Sequence, residues 1–172
     1  MMLLESRMLL ATIVVCPGGD VANAIKILGD DTNEVIEVST SGSAVNIKIN
    51  GVQQSFSNIA SVLVYAGDGD DTVKLSGGIQ FFADGGDGSD ILYGSSGDDW
   101  LQDGYGIDTI IGGAGNDYIV GGFDADSLLG GPGNDVLLGE HGADTLLGGS
   151  GTDTAMSDTV FVDSLSSIEV VL

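Results

Sequence analysis

The chain has 172 residues, enough for one domain or one continuous repeat array, and 26 acidic against 4 basic residues leave a formal charge of −22. No basic patch can be assembled from Arg7, Lys26, Lys48 and Lys74, which argues against nucleic acid and anionic membrane as partners. With 42% hydrophobic residues the chain can still bury a core, but Cys16 is its single cysteine, so compaction against that charge calls for cations rather than disulfides.

Taken in order, residues 1–16 carry an apolar run from Met8 to Cys16 that is too short to cross a membrane as a helix. Glu5 cancels Arg7, and no small-x-small cleavage site follows, so a first strand or edge cover is expected here rather than a cleaved signal. From Ala24 to Val38 two alternating stretches flank a turn, and residues 29–37 (GDDTNEVIE) have the form of a nine-residue unit with Glu34 at its sixth position. Asn50-Gly51 stands between the alternating segments 45–49 and 52–56, which predicts a hairpin closed by a type I′ turn. A strand over 61–65 leads into AGDGDDTVK (66–74), with Asp71 at position six. The next nine, LSGGIQFFA, place Gln80 there, and Asp84 adds one residue. Residues 24–84 therefore read as an irregular β-solenoid, continuous with the regular units from Gly85 onward and capping them.

From Gly85 to Met156 the chain divides into eight uninterrupted nines: GGDGSDILY, GSSGDDWLQ, DGYGIDTII, GGAGNDYIV, GGFDADSLL, GGPGNDVLL, GEHGADTLL and GGSGTDTAM. Column six is always Asp (Asp90, Asp99, Asp108, Asp117, Asp126, Asp135, Asp144, Asp153) and column eight is always apolar, from Leu92 to Ala155. Glycine in columns one, two and four allows positive φ and close backbone approach, as a tight turn needs. The last three residues suffice for a short strand with its middle side chain turned inward. A unit this short cannot bury its own apolar face, so neighbouring units must do so. Asp103 and Asp124 replace glycine at columns one and four and are expected to be mild changes, because Asp tolerates left-handed geometry. Glu140, in column two, is expected to weaken or reshape an adjacent site.

This pattern resembles the G-G-x-G-x-D-x-U-x nonapeptide of the RTX (repeats-in-toxin, haemolysin-type calcium-binding) family. The resemblance implies an all-β fold, a right-handed parallel β-roll or β-solenoid with two nonapeptides per coil, and several Ca²⁺ ions held between stacked turns. It implies Asp71, Asp87 and Gly88, the eight column-six aspartates, and the turn glycines Gly97, Gly106, Gly115, Gly133, Gly142 and Gly151 as the metal-site residues. Aspartates eighteen apart would share ions: Asp90 with Asp108, Asp99 with Asp117, and so on to Asp135 with Asp153. Hard oxygen donors on flexible loops suit Ca²⁺ better than Mg²⁺ or Zn²⁺. The segment LESRMLLA resembles a short stretch that precedes such repeats in some bacterial extracellular proteins, and the terminal Glu169-Val-Val-Leu resembles the ending of some type I secretion substrates. The tail is also expected to supply closing strands at 159–162 and 168–172.

Catalytic signatures are missing from the sequence. It has no H-E-x-x-H and no G-x-S-x-G. His141 sits alone in column three, where an outward, solvated ring is expected, and Cys16 is expected to be a buried structural thiol. Column nine, which should face outward, is apolar: Tyr93, Ile111, Leu129 and Leu147 on one sheet; Gln102, Val120, Leu138 and Met156 on the other. Such exposed ladders mark an interface. The sequence thus predicts three parts: an irregular amino-terminal cap (1–65), a calcium-binding roll (66–156) and capping strands (157–172). The function expected is that of a non-enzymatic, secreted or cell-surface structural protein that folds on Ca²⁺ and forms homo-oligomers or filaments. The alternative is a type I secretion and folding module without its enzymatic passenger.

Overall fold

The computed structural model describes residues 12–16, 24–156, 164–166 and 170–171. All its regular elements are strands. They are β1 (Thr12–Cys16), β2 (Ala24–Leu28), β3 (Val35–Ser41), β4 (Ala44–Ile49), β5 (Val52–Ser57), β6 (Ser61–Asp68), β7 (Thr72–Ser76), β8 (Phe81–Asp87) and β9 (Ile91–Tyr93). There follow β10 (Trp100–Gln102), β11 (Thr109–Ile111), β12 (Tyr118–Phe123), β13 (Ser127–Pro132), β14 (Val136–His141), β15 (Thr145–Ser150), β16 (Thr154–Met156), β17 (Ser164–Ser166) and β18 (Val170–Val171). They form two nine-stranded sheets. The first runs β1-β2-β6-β8-β10-β12-β14-β16-β18 and the second β17-β15-β13-β11-β9-β7-β3-β4-β5. From β6 to β18 successive strands alternate between the sheets and pair in parallel with the strand one coil away, as a β-solenoid requires.

The core is the ladder read from column eight. Val73, Leu92, Leu101, Ile110, Ile119, Leu128, Leu137, Leu146 and Ala155 are all fully buried between the sheets. Each large aliphatic side chain so placed contributes about 1.5–3 kcal/mol of apolar burial. The amino-terminal part widens this core with Ile25, Ile27, Ile36, Val38, Val62 and Val64.

The two strands expected around Gly29 are β2 and β3, which stack in parallel on β6 and β7. Asn50 and Gly51 have φ of 48° and 86°, both positive as a type I′ turn demands, and β4 and β5 pair in antiparallel across them. The hairpin extends the second sheet sideways through β3–β4 pairing. At the edge of the first sheet β1 lies antiparallel to β2, so a strand does open this region. Residues 1–11, the Cys16 side chain, the strand expected at 159–162 and Glu169 lie outside the described residues. In the tail, β18 falls within the strand expected at 168–172, whereas β17 has no counterpart in the sequence pattern.

The frame around Asp84 needs correction. Trp100 pairs with Phe82 and Leu101 with Ala83, so Phe81, not Gln80, occupies the sixth position of that unit, and Asp84 the ninth. The extra residue lies in β7, where Val73 and Leu75 both point inward. Either placement keeps nine-residue spacing along the chain, and only the burial of one more apolar side chain selects between them.

Within the regular repeats, positive φ is confined to columns two and four of the turns, as at Gly113 (110°) and Gly115 (120°). Asp124 (77°) and Glu140 (69°) share this geometry without being glycine. A left-handed residue with a Cβ costs roughly 1–2 kcal/mol, partly offset by the extra freedom glycine has when unfolded. Glu140→Gly is therefore expected to stabilise the calcium-loaded protein by about 0.5–1 kcal/mol, read as a rise in thermal midpoint. An unchanged or lowered midpoint would show that the Glu140 conformation is not strained.

Candidate metal centre

Each turn ends where a strand begins, and column six sits at that junction, so its side chain folds back under the turn. In consecutive coils the arrangement repeats. Asp108 Oδ1 accepts the Asp90 N–H at 2.8 Å, Asp117 that of Asp99 at 2.9 Å, and Asp126 that of Asp108 at 2.9 Å. Asp135 accepts from Asp117 (2.8 Å), Asp144 from Asp126 (2.9 Å) and Asp153 from Asp135 (2.9 Å). The same ladder reaches into the cap: Asp90 accepts from Asp71, and Asp71 from Glu34, each at 2.6 Å. The aspartates eighteen apart in sequence are thus neighbours in space, along two turn edges.

One oxygen of each carboxylate is used by this ladder. The other, Oδ2, is buried and accepts no hydrogen bond in Asp71, Asp108, Asp117, Asp126 and Asp135. A buried carboxylate oxygen without a partner is costly, and its repetition at this position in turn after turn is not a packing accident. Around these atoms the backbone is open. A Cβ added to Gly112 would meet Asp117 Oδ2 at 2.5 Å and the Gly130 carbonyl oxygen at 2.7 Å, and one added to Gly121 would meet Asp126 Oδ2 at 2.7 Å and the Gly139 carbonyl at 3.0 Å. Column one is therefore glycine to leave a cradle in which a carboxylate oxygen and the next coil's carbonyl converge, not to allow positive φ.

Burial raises these carboxyls. Desolvation lifts Asp71, Asp117 and Asp126 to about 7 and Asp108 to about 6, against partial lowering by the backbone N–H each accepts and further raising by neighbouring aspartates. Asp90, Asp99 and Asp135 are also raised, again by burial first. No side-chain cation answers them among the described residues. Lys48 pairs with the exposed Glu37 at 2.6 Å, and Lys26 and Lys74 lie over the rings of Tyr65 and Tyr93. The donor set is entirely oxygen, several atoms per cradle, anionic and buried. That set fits a hard divalent cation, and Ca²⁺ better than Mg²⁺, which demands a tighter octahedron.

Four copies of the RTX calcium-binding nonapeptide repeat match the chain, at residues 62–79, 84–119, 93–128 and 120–155, together just over half its length. The chain belongs to the RTX calcium-binding repeat family. No curated protein matches it. Its fold is the β-roll of that family, and its repeats are calcium-binding repeats.

Several turns depart from the RTX pattern. Phe81 replaces the column-six aspartate facing Asp99, and Asp99 turns its second oxygen to the N–H of Ser95, the column-two residue of its own turn, at 2.6 Å. Ala66 places a methyl group where most turns have a column-one glycine. Asp103 also stands in column one, but it does not adopt positive φ, so the expectation of a mild backbone change misjudged it. Its carboxylate is buried, accepts the N–H groups of Gly86 and Gly104 at 3.1 Å, and lies with Asp90 and Asp108 in a group in which one carboxylate oxygen from each residue is within 4.8 Å of the other two. Burial, then the charges of Asp108 and Asp90, push it up to about 10.

The remaining expected site residues lie in the turns themselves. Gly88, Gly106, Gly115, Gly133 and Gly151 stack column four on column four, each close to the carbonyl one coil earlier, and Gly142 packs likewise on Asp124. Gly97 packs likewise on Ile79, which the corrected frame places in column four. Asp87 is exposed, and its carbonyl accepts the Gly69 N–H at 2.8 Å. His141 is exposed in column three, as expected, with its ring 5.0 Å from Phe123, which stacks on Tyr105 at 4.6 Å.

A second ladder escaped the sequence reading. In column five Asp98 accepts the Asn116 N–H, Asn116 that of Asn134, and Asn134 that of Thr152, all at 2.8–3.0 Å and exposed. The signal was an Asx residue at column five in alternate units. Along the first sheet, Phe82, Trp100 and Tyr118 also form an outer aromatic row, with ring centroids 6.0 and 5.2 Å apart.

Proposed function

We propose that this protein is a non-enzymatic, extracellular calcium-binding structural protein whose roll is completed by Ca²⁺ and then self-associates. The observation that carries the reading is the row of buried column-six carboxylates, which apart from Asp99 spend one oxygen on the preceding coil and turn the other into an oxygen-lined cradle. Asp90, Asp108, Asp117, Asp126 and Asp135 would each serve two cradles, with carbonyls of the turn glycines completing the shell. The cation would supply the positive charge that four basic residues in the whole chain cannot. Binding free energy at such sites is folding free energy.

Self-association is supported by the outer face of the second sheet. Tyr93, Ile111, Leu129 and Leu147 pair in register along it, and Tyr93, Leu129 and Leu147 are 36–37% exposed. The matching ladder on the first sheet is weaker as a surface, because Leu138 is buried there. Calcium acts twice in one direction: it builds the face and it neutralises charge that keeps chains apart.

Light scattering during a calcium titration tests this. Assembly is expected to follow the gain of β signal, and Leu129→Thr/Leu147→Thr is expected to fold at the parental calcium midpoint. Each 1.4 kcal/mol of lost apolar contact is tenfold in affinity, so the double variant should need roughly tenfold more protein to assemble. Equal assembly of variant and parent would exclude this face. A calcium-loaded monomer at every concentration would replace the structural reading with that of a secretion and folding module.

A further inference from the structure

The cradle between the turn starting at Gly85 and the turn starting at Asp103 is unlike the others. At an ordinary cradle the position a column-one Cβ would occupy is met by a carboxylate oxygen of column six and a carbonyl of the next coil, as at Gly121. At Gly85 the same position is met instead by both oxygens of the Asp103 carboxylate, Oδ2 at 2.6 Å. The cradle therefore holds three carboxylates, from Asp90, Asp103 and Asp108, where the regular pattern supplies two.

None of the three is a solvated surface charge. Asp90 and Asp108 are 1% exposed and Asp103 is 8% exposed. Each has a buried Oδ2 that no N–H group reaches, and the Asp90 and Asp103 carboxyls lie within hydrogen-bonding reach of one another, while Oδ1 of Asp103 is anchored by the Gly86 and Gly104 N–H groups at 3.1 Å. The backbone thus fixes one oxygen of Asp103 and holds its carboxylate beside those of Asp90 and Asp108. Among the described residues this is the only group of three or more such side chains with metal-ligand spacing.

We infer that the Asp90–Asp103–Asp108 cradle is the tightest cation site of the roll and favours ions of higher charge more strongly than the two-carboxylate cradles do. The inference rests on the calcium reading above and adds to it a ranking of the sites. Its physical basis is ligand charge count. A third anionic oxygen adds Coulomb attraction to a bound cation, and carboxylate number and rigidity set calcium affinity over several orders of magnitude. Because the third carboxylate is already buried and held by two backbone donors, ordering it costs little when the ion arrives. This site would then fill first, joining the coil of β8 and β9 to that of β10 and β11, and the rest of the roll would grow outward from it.

The test is a calcium titration of the whole chain in competition with a chromophoric chelator, repeated with La³⁺ as displacing ion. Asp103→Gly restores the regular column-one residue, and Asp103→Asn keeps the shape while removing the charge. The parent is expected to show one class of site at least about tenfold tighter than the remainder, displaced by La³⁺ before the others. Both variants are expected to lose that class while Asp103→Gly still binds the same total number of ions. Circular dichroism in excess calcium checks that each variant folds, and either alone decides the matter. If either folded variant keeps the tight class, or if Asp103→Gly binds calcium more tightly or takes up one more ion than the parent, Asp103 is a plug and not a ligand, and the inference falls. Absence of calcium uptake by the parent itself would overturn the calcium reading as well, which separates the two failures.

Discussion

In chelator at pH 8 the chain is expected to lose most of its β signal in circular dichroism, and excess calcium is expected to restore it. Without cations the two turn edges carry rows of buried aspartates facing one another, and the turns, rich in glycine, have much conformational entropy to lose on ordering. Protons can take over part of the cation's role. Asp71, Asp117 and Asp126 are raised to about 7 and Asp108 to about 6, above the ordinary carboxyl value of 3.8, so the metal-free fold binds more protons than the unfolded chain. Stability from these groups is accordingly present below the ordinary carboxyl range and is lost as pH rises through 6 to 7. In chelator, lowering the pH from 8 to 5 should therefore recover β structure and raise the thermal midpoint. The range stops at 5 because the sequence pI of about 4.1 brings precipitation closer. With calcium the dependence reverses: the ligands must be deprotonated, so the calcium midpoint should climb as pH falls below about 6. The same β spectrum with chelator and with calcium at pH 8 would mean that the roll stands without its ions.

How far such behaviour is legible in the sequence differs along the chain. The eight nines from Gly85 to Met156 announce themselves because an invariant spacing fixes column six on the turn and column eight in the core, and the pairs eighteen apart follow from two units per coil. The hairpin at Asn50-Gly51 is equally legible, since few dipeptides accept positive φ twice. Glu34 could be placed in the aspartate column from one decayed unit, although the hairpin inserts many residues between it and Asp71. Other features depend on three-dimensional packing that spacing does not encode. The shift that puts Phe81 in the aspartate position turns on which side chain the sheet buries. The direction taken by the Asp103 carboxylate depends on two backbone N–H groups of adjacent turns. Leu138 and Leu129 share a column, yet only Leu129 is exposed, a difference that the column position does not encode.

Asp117→Ala is expected to be among the most damaging single substitutions in the roll, and its neighbour Asn116→Ala among the mildest. Both side chains accept a backbone N–H eighteen residues away, Asp117 from Asp99 at 2.9 Å and Asn116 from Asn134 at 3.0 Å. The difference lies in burial and in the second oxygen. Asp117 is 2% exposed, and its removal strands the buried Asp99 N–H at a cost of about 1–3 kcal/mol. It also takes a carboxylate from two successive cradles, one shared with Asp99 and one with Asp135, so the loss in calcium binding adds to the loss of the hydrogen bond. Asn116 is exposed, water replaces its bond, and the net cost should stay within about 1 kcal/mol. Calcium titrations followed by circular dichroism separate the two effects. The Asp117 variant should need several-fold more calcium to fold and retain fewer ions when folded, whereas the Asn116 variant should keep both the midpoint and the ion count. Asp117→Asn sharpens the test, because the amide oxygen can still accept the Asp99 N–H while the charge is gone. If Asp117→Asn folds at the parental calcium midpoint, column six is a hydrogen-bond ladder alone and the cradles are not where the calcium binds.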